Sequence, residues 1–220
     1  MYKLETHMHT KETSGCAISS AKEMVNAYKM LGYDGIIVTD HFVNGNTTVD
    51  TSLSWQEQIN AHCKGYENAK AQGDKIGLDV YFGFEYSFYG TDFLTYGVDK
   101  NFLIAHPEIM NMQGYEYIDF IHENGGMVVE AHPFRQAFYI KTIRLYPSRI
   151  DAIEVSNTSN REEVWNERAR LFAESYDLPM TGGSDAHRTD KIKGGMIFEN
   201  NVNDIFDYID FVKSKQGTIL

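Results

Sequence analysis

Short apolar runs recur along the chain, and segments with apolar residues at helical spacing separate most of them. A short apolar run between turn residues is typical of a buried strand. A further run, Phe93–Val98, is expected to pair back on the strand before it. The pattern predicts strands at Lys3–Thr6, Gly35–Thr39, Asp79–Phe84, Gly126–Glu130, Asp151–Val155 and Pro179–Thr181.

The intervening segments have the periodicity of amphipathic helices. In the first of them, Ser19 or Ser20 is a suitable N-cap and Gly32 a suitable stop, and Gly73 is expected to end the second. Helices are predicted at Ser20–Leu31, Trp55–Gln72, Tyr115–Asn124, Arg161–Ser175 and Val202–Ser214. Alternation of strand and helix over the full length predicts an α/β fold with a mainly parallel sheet, closed or nearly closed into a barrel.

Length and composition favour one domain over residues 1–220, because no Pro/Gly/Ser-rich stretch divides the 220-residue chain. No apolar run approaches the ~20 residues of a membrane span, and the first residues do not resemble a signal peptide. Cys16 and Cys63 form no Cys-x-x-Cys pair and are too few for a disulfide scaffold. We therefore expect a cytoplasmic protein with no membrane contact.

The charge balance limits the classes of partner that the protein is expected to bind. Asp and Glu number 31 against 20 Lys and Arg, a net charge of −11, and no basic stripe is present. Stable nucleic-acid binding is therefore not expected, since it depends on phosphate neutralisation by Lys and Arg. An acidic chain can still act on anions if its carboxylates hold metal ions. The oligomeric state stays open.

Polar residues with metal-binding chemistry follow almost every predicted strand. In a parallel α/β barrel, the carboxyl ends of the strands meet on one face, where active sites are built. Five histidines and several carboxylates would therefore gather at one mouth. These residues are His7, His9, Asp40, His41, Glu85, Glu130, His132, Glu154, Asp185 and His187.

The gathering favours a metal centre with more than one ion. His7 and His9 lie two apart on an extended segment, so both rings point the same way, and Asp185 and His187 repeat the spacing. Imidazole and carboxylate ligands suit Zn, Mn or Fe, and Glu85 could bridge two ions. The number of candidate ligands exceeds the number that one tetrahedral site can use. A paired site polarises a phosphoryl oxygen and generates hydroxide from bound water.

Other interpretations remain for individual residues. A lone His-x-His is weak evidence, and an Asp-His pair after a strand can be a packed, hydrogen-bonded pair. His62 and His122 lie in predicted helices and are interpreted as surface or packing residues, and His106 as structural. Cys16 is interpreted as a small buried thiol rather than a ligand.

Six motifs in order along the chain resemble those of the PHP family (polymerase and histidinol phosphatase). The resemblance implies a distorted (β/α)7 barrel that holds two to three divalent ions and hydrolyses phosphoesters. The motifs are Glu5-Thr6-His7-Met8-His9-Thr10, Thr39-Asp40-His41, Gly83-Phe84-Glu85, Ala131-His132-Pro133-Phe134-Arg135, Ile153-Glu154-Val155-Ser156-Asn157 and Gly183-Ser184-Asp185-Ala186-His187.

The resemblance also implies a ligand set. His7, His9, Glu85 and Asp185 resemble the ligands of the first ion, and Glu85 would bridge to the second. His132 resembles a ligand of the second ion, and His41 and His187 those of the third. Two positions depart from common members: Glu12 is the nearest replacement for an Asp or His that often follows the first motif, and Asp92 stands where a histidine is common.

Residues beside the ligands are candidates for substrate binding or support. Arg135 and Arg188 follow ligand histidines and could bind phosphate oxygens in a fork geometry, although each could instead form a surface salt bridge. Glu154 and Asn157 could fix histidine tautomers, or could anchor the barrel top.

The leading hypothesis is a metal-dependent phosphoesterase that acts on a small phosphorylated molecule through metal-activated hydroxide. Its catalytic candidates are His7, His9, Glu85, Asp185 and Arg135. One alternative is a metal-dependent amide or ester hydrolase, which typically has a bridging lysine that no strand end here carries. The other is a non-catalytic metal-binding PHP module.

Overall fold

The structure is a computed structural model that describes all residues, 1–220. It contains nine strands and seven α-helices, with short 3₁₀ turns at Pro107–Asn111 and Thr189–Lys191. The strands are β1 Tyr2–Met8, β2 Gly35–Val38, β3 Asp79–Phe88, β4 Thr91–Tyr96, β5 Met127–Ala131, β6 Ala152–Asn157, β7 Met180–Gly183, β8 Met196–Phe198 and β9 Thr218–Ile219. The helices are α1 Ala21–Met30, α2 Trp55–His62, α3 Lys64–Ile76, α4 Lys100–Ala105, α5 Gly114–Glu123, α6 Glu163–Ser175 and α7 Ile205–Lys213.

All nine strands belong to one sheet that curls into a nearly closed barrel. Its order is β7-β6-β5-β4-β3-β2-β1-β8-β9. β4 pairs back on β3 as the sequence predicted, and it also runs antiparallel to β5, which was not predicted. The first and seventh strands approach through a parallel bridge between Met8 and Ala186, where the His9 amide donates to the Ala186 carbonyl at 2.9 Å. The predicted distorted α/β barrel is thus confirmed.

Two strands were not predicted from the sequence. β8 and β9 have three and two residues, and both pair antiparallel at the edge beyond β1. Runs this short carry no readable alternation of apolar and polar residues. Their strand conformation depends on pairing with β1 rather than on their own sequence.

The predicted helix Trp55–Gln72 is two helices, α2 and α3, that meet at Cys63. α3 also continues through Gly73 and ends at Gly77, which has a left-handed φ of 71°. A Cβ on Gly73 would lie 2.5 Å from the Leu78 carbonyl oxygen. Gly73 therefore permits close packing of helix on strand, and the helix ends one turn later than predicted. α4 was not predicted.

The start of α1 agrees with its sequence signal. Ser20 accepts from the Glu23 amide at 3.3 Å, and the Glu23 carboxylate accepts from the Ser20 amide at 2.7 Å. This reciprocal capping box satisfies two otherwise unpaired groups at the helix start. It fixes where the loop after β1 ends, and that loop borders the site described next. No α-helix combines the length and apolar character needed to cross a bilayer.

Candidate metal centre

Seven of the predicted ligands converge at the carboxyl ends of the parallel strands. His7, His9, Glu85 and Asp185 are almost fully buried, with exposed fractions of 0 to 3%. The ligand atoms within each of three overlapping groups lie within 4.8 Å of one another. The groups are His7, His9 and Asp185; His7, Glu85 and His132; and His9, His41 and His187.

Hydrogen bonds fix the tautomers of the two β1 histidines. His7 Nδ1 lies 2.8 Å from Glu154 Oε1, and a carboxylate oxygen accepts, so Nδ1 carries the proton. His9 Nδ1 lies 3.1 Å from Ser14 Oγ, whose own proton is donated to Asp40 Oδ1 at 2.7 Å. His9 Nδ1 is therefore the donor. Both rings then direct the lone pair of Nε2 into the centre.

The Asp40 carboxylate holds the loop that supports His9. Its oxygens accept from the Thr10 amide at 2.6 Å, the Thr10 hydroxyl at 2.7 Å and the Ser14 hydroxyl. A Cβ on Gly65 would lie 2.2 Å from Asp40 Oδ2, so α3 can approach this carboxylate only through a glycine. Asp40 thus orients His9 through Ser14, a role that the Asp-His motif alone did not reveal.

The spacing of the inward-facing atoms fits a bound cation. His7 Nε2 lies 3.2 Å from His9 Nε2. In the neutral rings that bind a metal, both atoms carry lone pairs and neither can donate. Asp185 Oδ1 lies 3.5 Å and 3.2 Å from these two nitrogens. In a tetrahedral zinc site with bonds of 2.0–2.1 Å, ligand atoms are separated by about 3.3 Å. Mutually repelling lone pairs at this separation are stabilised by a cation between them.

Glu85 lies at the middle of the centre and contacts residues of all three groups. Its Oε1 lies 3.1 Å from His132 Nε2, and its Oε2 lies 2.7 Å from His41 Nδ1. The second contact lacks hydrogen-bond geometry, so both buried atoms are without a partner. Burial raises the pKa of Glu85, but His41 and His132 outweigh burial and hold it well below its usual range. The ionised carboxylate is suited to bridging two cations.

Two predicted ligands have left-handed backbone conformations, which non-glycine residues rarely adopt. The φ angles are 32° at His132 and 50° at Asp185. Glu154 Oε2 accepts from the His132 amide at 2.9 Å, and the His7 carbonyl accepts from the Asp185 amide at 2.8 Å. Such conformations cost roughly 1–3 kcal/mol each and persist where neighbours enforce them, often at functional sites.

Close packing under His7 requires a glycine at position 183. A Cβ on Gly183 would lie 2.6 Å from the His7 Cβ and 3.0 Å from Glu154 Oε1. The absent side chain lets Glu154 reach His7, which supports the expectation that Glu154 fixes a histidine tautomer. Asn157 contributes indirectly, since its Nδ2 donates to Glu154 Oε2 at 2.9 Å.

Arg135 lies beside the cluster. Its Nη2 donates to Asp185 Oδ2 at 2.8 Å and to Asn157 Oδ1 at 3.0 Å, and its Nε donates to Asn160 Oδ1 at 2.8 Å. No hydrogen bond in the structure engages its Nη1. The guanidinium is therefore held by the protein with two donors still available on that nitrogen.

A cavity of about 550 Å³ opens above the centre. Asp92 lines it, with Oδ2 3.9 Å from His132 Nε2, so its role as a ligand of the second ion stays a prediction. Three larger surface concavities, of about 680, 650 and 600 Å³, lie elsewhere, and no histidine lines any of them. The cavity above the centre is lined by Cys16, His41, Asn46, Glu85, Ser87, Gly90, Asp92, His132, Arg135, Tyr139, Asp185 and His187.

Three expectations about individual residues need correction. The Glu12 carboxylate accepts from the Ala21 amide at 2.9 Å, so it faces the start of α1 and not the third ion. Arg188 is exposed, pairs with Asp190 at 2.9 Å and does not line the cavity, so it is not placed to bind phosphate. Cys16, interpreted as a buried thiol, is exposed and lines the cavity. Spacing along a loop does not reveal which way its side chains turn.

The remaining histidines lie outside the three groups, as expected. His62 is 2% exposed and packs at the end of α2. His122 and His106 contact Asp151 and Glu108, at 2.7 Å and 2.8 Å. Their contacts are those of packing and structural residues.

Comparison with known sequences gives two partial matches. A family model described as PHP-associated matches residues 163–210. Over 84 residues the chain is 33% identical to MJ0417, an uncharacterised protein of Methanocaldococcus jannaschii. That match covers 35% of the chain and 35% of MJ0417, so it spans about a third of that relative's length.

The fold is shared along almost the whole chain with solved structures. A two-domain protein from Bacteroides vulgatus, which contains a predicted PHP-like metal-dependent phosphoesterase, matches with a TM-score of 0.72 and 14% identity over 100% of this chain and 64% of that one. The resemblance to the PHP family is confirmed. A proposed metal-dependent phosphoesterase from Bifidobacterium adolescentis shares this PHP-like fold with a TM-score of 0.59 and 15% identity, over 97% of this chain and 96% of that one.

A third structural neighbour carries a different functional name. It is an amidohydrolase from Chromobacterium violaceum, with a bound sulfate and no metal, and it matches with a TM-score of 0.58 and 15% identity. The match covers 99% of this chain and 97% of that one. At these identities the similarity establishes the fold, and the reaction has to be argued from the site itself.

Proposed function

We propose that the protein is a metal-dependent phosphoesterase that hydrolyses a small phosphorylated molecule. The observation that carries the proposal is the position of Arg135, whose guanidinium lies in the same cavity as the converging ligand atoms. Guanidinium groups recognise phosphate oxygens through paired donors. A cation site beside a fixed guanidinium is suited to a tetrahedral oxyanion.

The proposal assigns two to three divalent ions, Zn, Mn or Fe, to the centre. His7, His9, Glu85 and Asp185 would hold the first, with Glu85 shared with His132 and Asp92 at the second. His41 and His187 would hold a third. Divalent ions in such a site polarise a phosphoryl oxygen and lower the pKa of a bound water molecule to about 7.

Arg135 would bind the substrate through Nη1. Asp185, Asn157 and Asn160 hold its other nitrogens, so the guanidinium is oriented before the substrate arrives. A donor fixed in this way needs little reorganisation as negative charge develops on the phosphoryl oxygens. The net charge of −11 makes this partly buried cation important for holding an anionic substrate.

The size of the cavity favours a small substrate. Its volume of about 550 Å³ is within the range of small-molecule pockets. Asn46, Ser87 and Tyr139 line it together with the ligands and offer polar groups to the rest of the substrate. Stable binding of nucleic acid is not proposed, since the chain is acidic.

Amide hydrolysis is the second candidate function, and the name of the Chromobacterium violaceum neighbour favours it. The absence of lysine from the cavity lining counts against it, because a bridging lysine is expected in such hydrolases. A non-catalytic metal-binding module is the third candidate. The three candidate functions predict different substrates for the metal-loaded protein.

The test compares substrates on one preparation. The protein is reconstituted separately with Zn, Mn and Fe(II), its metal content is measured, and p-nitrophenyl phosphate, bis-p-nitrophenyl phosphate and p-nitroacetanilide are supplied. We expect turnover of a phosphoester. Arg135→Met should lower kcat/KM for it about 10²–10³-fold, the effect of removing one donor to developing negative charge.

Arg188→Met is the matched control, because Arg188 is an exposed arginine that pairs with Asp190 outside the cavity. It should leave turnover unchanged. Faster hydrolysis of the anilide than of both phosphoesters would establish amide hydrolysis instead. A protein that binds its ions but turns over none of the three would support the non-catalytic module.

A further inference from the structure

Cys16 occupies an unexpected position for an isolated cysteine. It is exposed on the loop between β1 and α1, and it lines the cavity that contains the metal-ligand cluster. Its Sγ lies 3.2 Å from His41 Nε2. The other cysteine, Cys63, is buried where α2 meets α3 and lines no part of this cavity.

A second histidine turns a free nitrogen into the same region. His187 Nδ1 lies 2.9 Å from the Asp185 carbonyl oxygen, which can only accept, so Nδ1 carries the proton. In the neutral imidazole, His187 Nε2 then keeps its lone pair, and His187 belongs with His9 and His41 to one group whose ligand atoms lie within 4.8 Å of one another. One sulfur and two imidazoles thus come together at the outer edge of the centre.

An observation independent of Cys16 points to a cation at this edge, because the ligand atoms of His9, His41 and His187 lie within 4.8 Å of one another. Glu85 is 1% exposed, and its Oε2 lies 2.7 Å from His41 Nδ1 without forming a hydrogen bond. Both nitrogens of His41 therefore face ligand-type atoms, Glu85 on one side and Cys16 on the other. A zinc ion with one sulfur and one nitrogen ligand separates the two ligand atoms by about 3.5 Å, close to the observed contact.

The loop that carries Cys16 is tied to its surroundings on both sides. The Gly15 amide donates to the Asn46 carbonyl at 2.8 Å, and the Ile18 amide donates to the His187 carbonyl at 2.9 Å. The second of these bonds joins the cysteine loop directly to one of the two histidines. The sulfur is thus held near them by the main chain.

We propose that Cys16 is a thiolate ligand, together with His41 and His187, of the outer divalent ion of this centre. As the sulfur–metal bond forms, the thiol proton passes to solvent. Cys16 then supplies the donor that Glu12 does not. A sulfur ligand favours Zn, Fe(II) or Co(II) at this position over Mn or Mg. The inference rests on the proposed metal centre but not on the reaction assigned to it.

X-ray absorption at the zinc edge tests the proposal directly. Wild-type protein, Cys16→Ser and the matched control Cys63→Ser are loaded with zinc, and zinc content and circular dichroism are recorded for each. We expect a sulfur scatterer at about 2.3 Å in the wild type and in Cys63→Ser. It should vanish in Cys16→Ser, with loss of about one equivalent of bound zinc.

Cobalt loading gives a second, optical measurement. The Co(II)-loaded wild type and Cys63→Ser should show a sulfur-to-cobalt charge-transfer band in the near ultraviolet, and Cys16→Ser should not. A wild-type protein with a full complement of ions and no sulfur scatterer would overturn the proposal, as would a scatterer that survives in Cys16→Ser. Sulfur ligation without phosphoester turnover would instead count against the phosphoesterase alone.

Discussion

His62 is predicted to make the stability of this protein fall in acid. Its side chain is 2% exposed at the end of α2 and lies edge-on against the rings of Phe42, Phe82 and Phe84, with centroids 5.1 to 6.3 Å away. Neither ring nitrogen has a hydrogen-bond partner. Burial lowers the pKa of His62 to about 3, and the nearby His41 main chain offsets part of the effect.

The sign and size of the effect follow from this pKa. In the unfolded chain, His62 is protonated below its ordinary pKa of about 6.5. In the folded chain, it stays neutral until the pH falls to about 3. The contribution to stability is therefore complete above about pH 6.5 and declines as the pH falls below it. Between about pH 7.5 and pH 5, the free energy of unfolding should drop by about 2 kcal/mol through this residue alone.

Replacing His62 with leucine removes both unpaired nitrogens and the titration. Urea unfolding of wild type and His62→Leu, both kept free of metal, should show that the wild type loses about 2 kcal/mol more than the variant across this pH interval. Titration of the histidine cluster at the metal centre is common to both proteins and cancels in the comparison. His62→Leu should also be more stable at neutral pH, because an unpaired buried polar group costs about 1–3 kcal/mol.

Ile59→Val on the same helix is the matched control. Ile59 is fully buried, and this truncation should lower stability by about 0.5–1.5 kcal/mol equally at both pH values. If wild type and His62→Leu lose the same free energy on acidification, then His62 takes up its proton inside the fold, and the reasoning from burial is refuted.

Two further predictions concern the metal centre. Asp185→Ala should lose the ion held with His7 and His9 and should reduce hydrolysis to background, while its circular dichroism stays near native. Asp190→Ala, at an exposed carboxylate, is the control. If Asp185→Ala retained both its metal and its turnover, the assignment of Asp185 as a ligand would be contradicted. Glu12→Gln should leave metal content and turnover unchanged and should lower the free energy of unfolding by about 0.3–1 kcal/mol, because a negative charge is lost at the start of α1. Equilibrium dialysis and urea unfolding measure both effects, and loss of an ion in Glu12→Gln would restore Glu12 as a ligand.

The local sequence signals were enough to predict the alternating strands and helices and their approximate first and last residues. Apolar runs such as Gly35–Val38 are buried on both faces, and this requirement is visible in the residues themselves. The split of the predicted long helix at Cys63 and the two short edge strands were not visible. Both depend on contacts with other segments. At the split, the Thr13 hydroxyl donates to the His62 carbonyl and accepts from the Gly65 amide, and β8 needs β1 as its partner.

The gathering of histidines and carboxylates also followed from sequence, because parallel strands bring their carboxyl ends to one face. His7, His9, Glu85, His132 and Asp185 lie at such ends and converge in the structure. The two-residue period of a strand and the shared direction of the parallel strands determine which side chains meet at this face. The placement of these five residues could therefore be predicted from the sequence.

Tertiary structure alone decided the loop residues and the hydrogen-bond partners. Glu12 and Cys16 both follow His9 on one loop, yet Glu12 turns to the start of α1 and Cys16 turns to His41. Arg135 and Arg188 both follow ligand histidines, and only Arg135 reaches the cavity. A loop has no fixed period, so the direction of each side chain depends on contacts with segments far away in sequence.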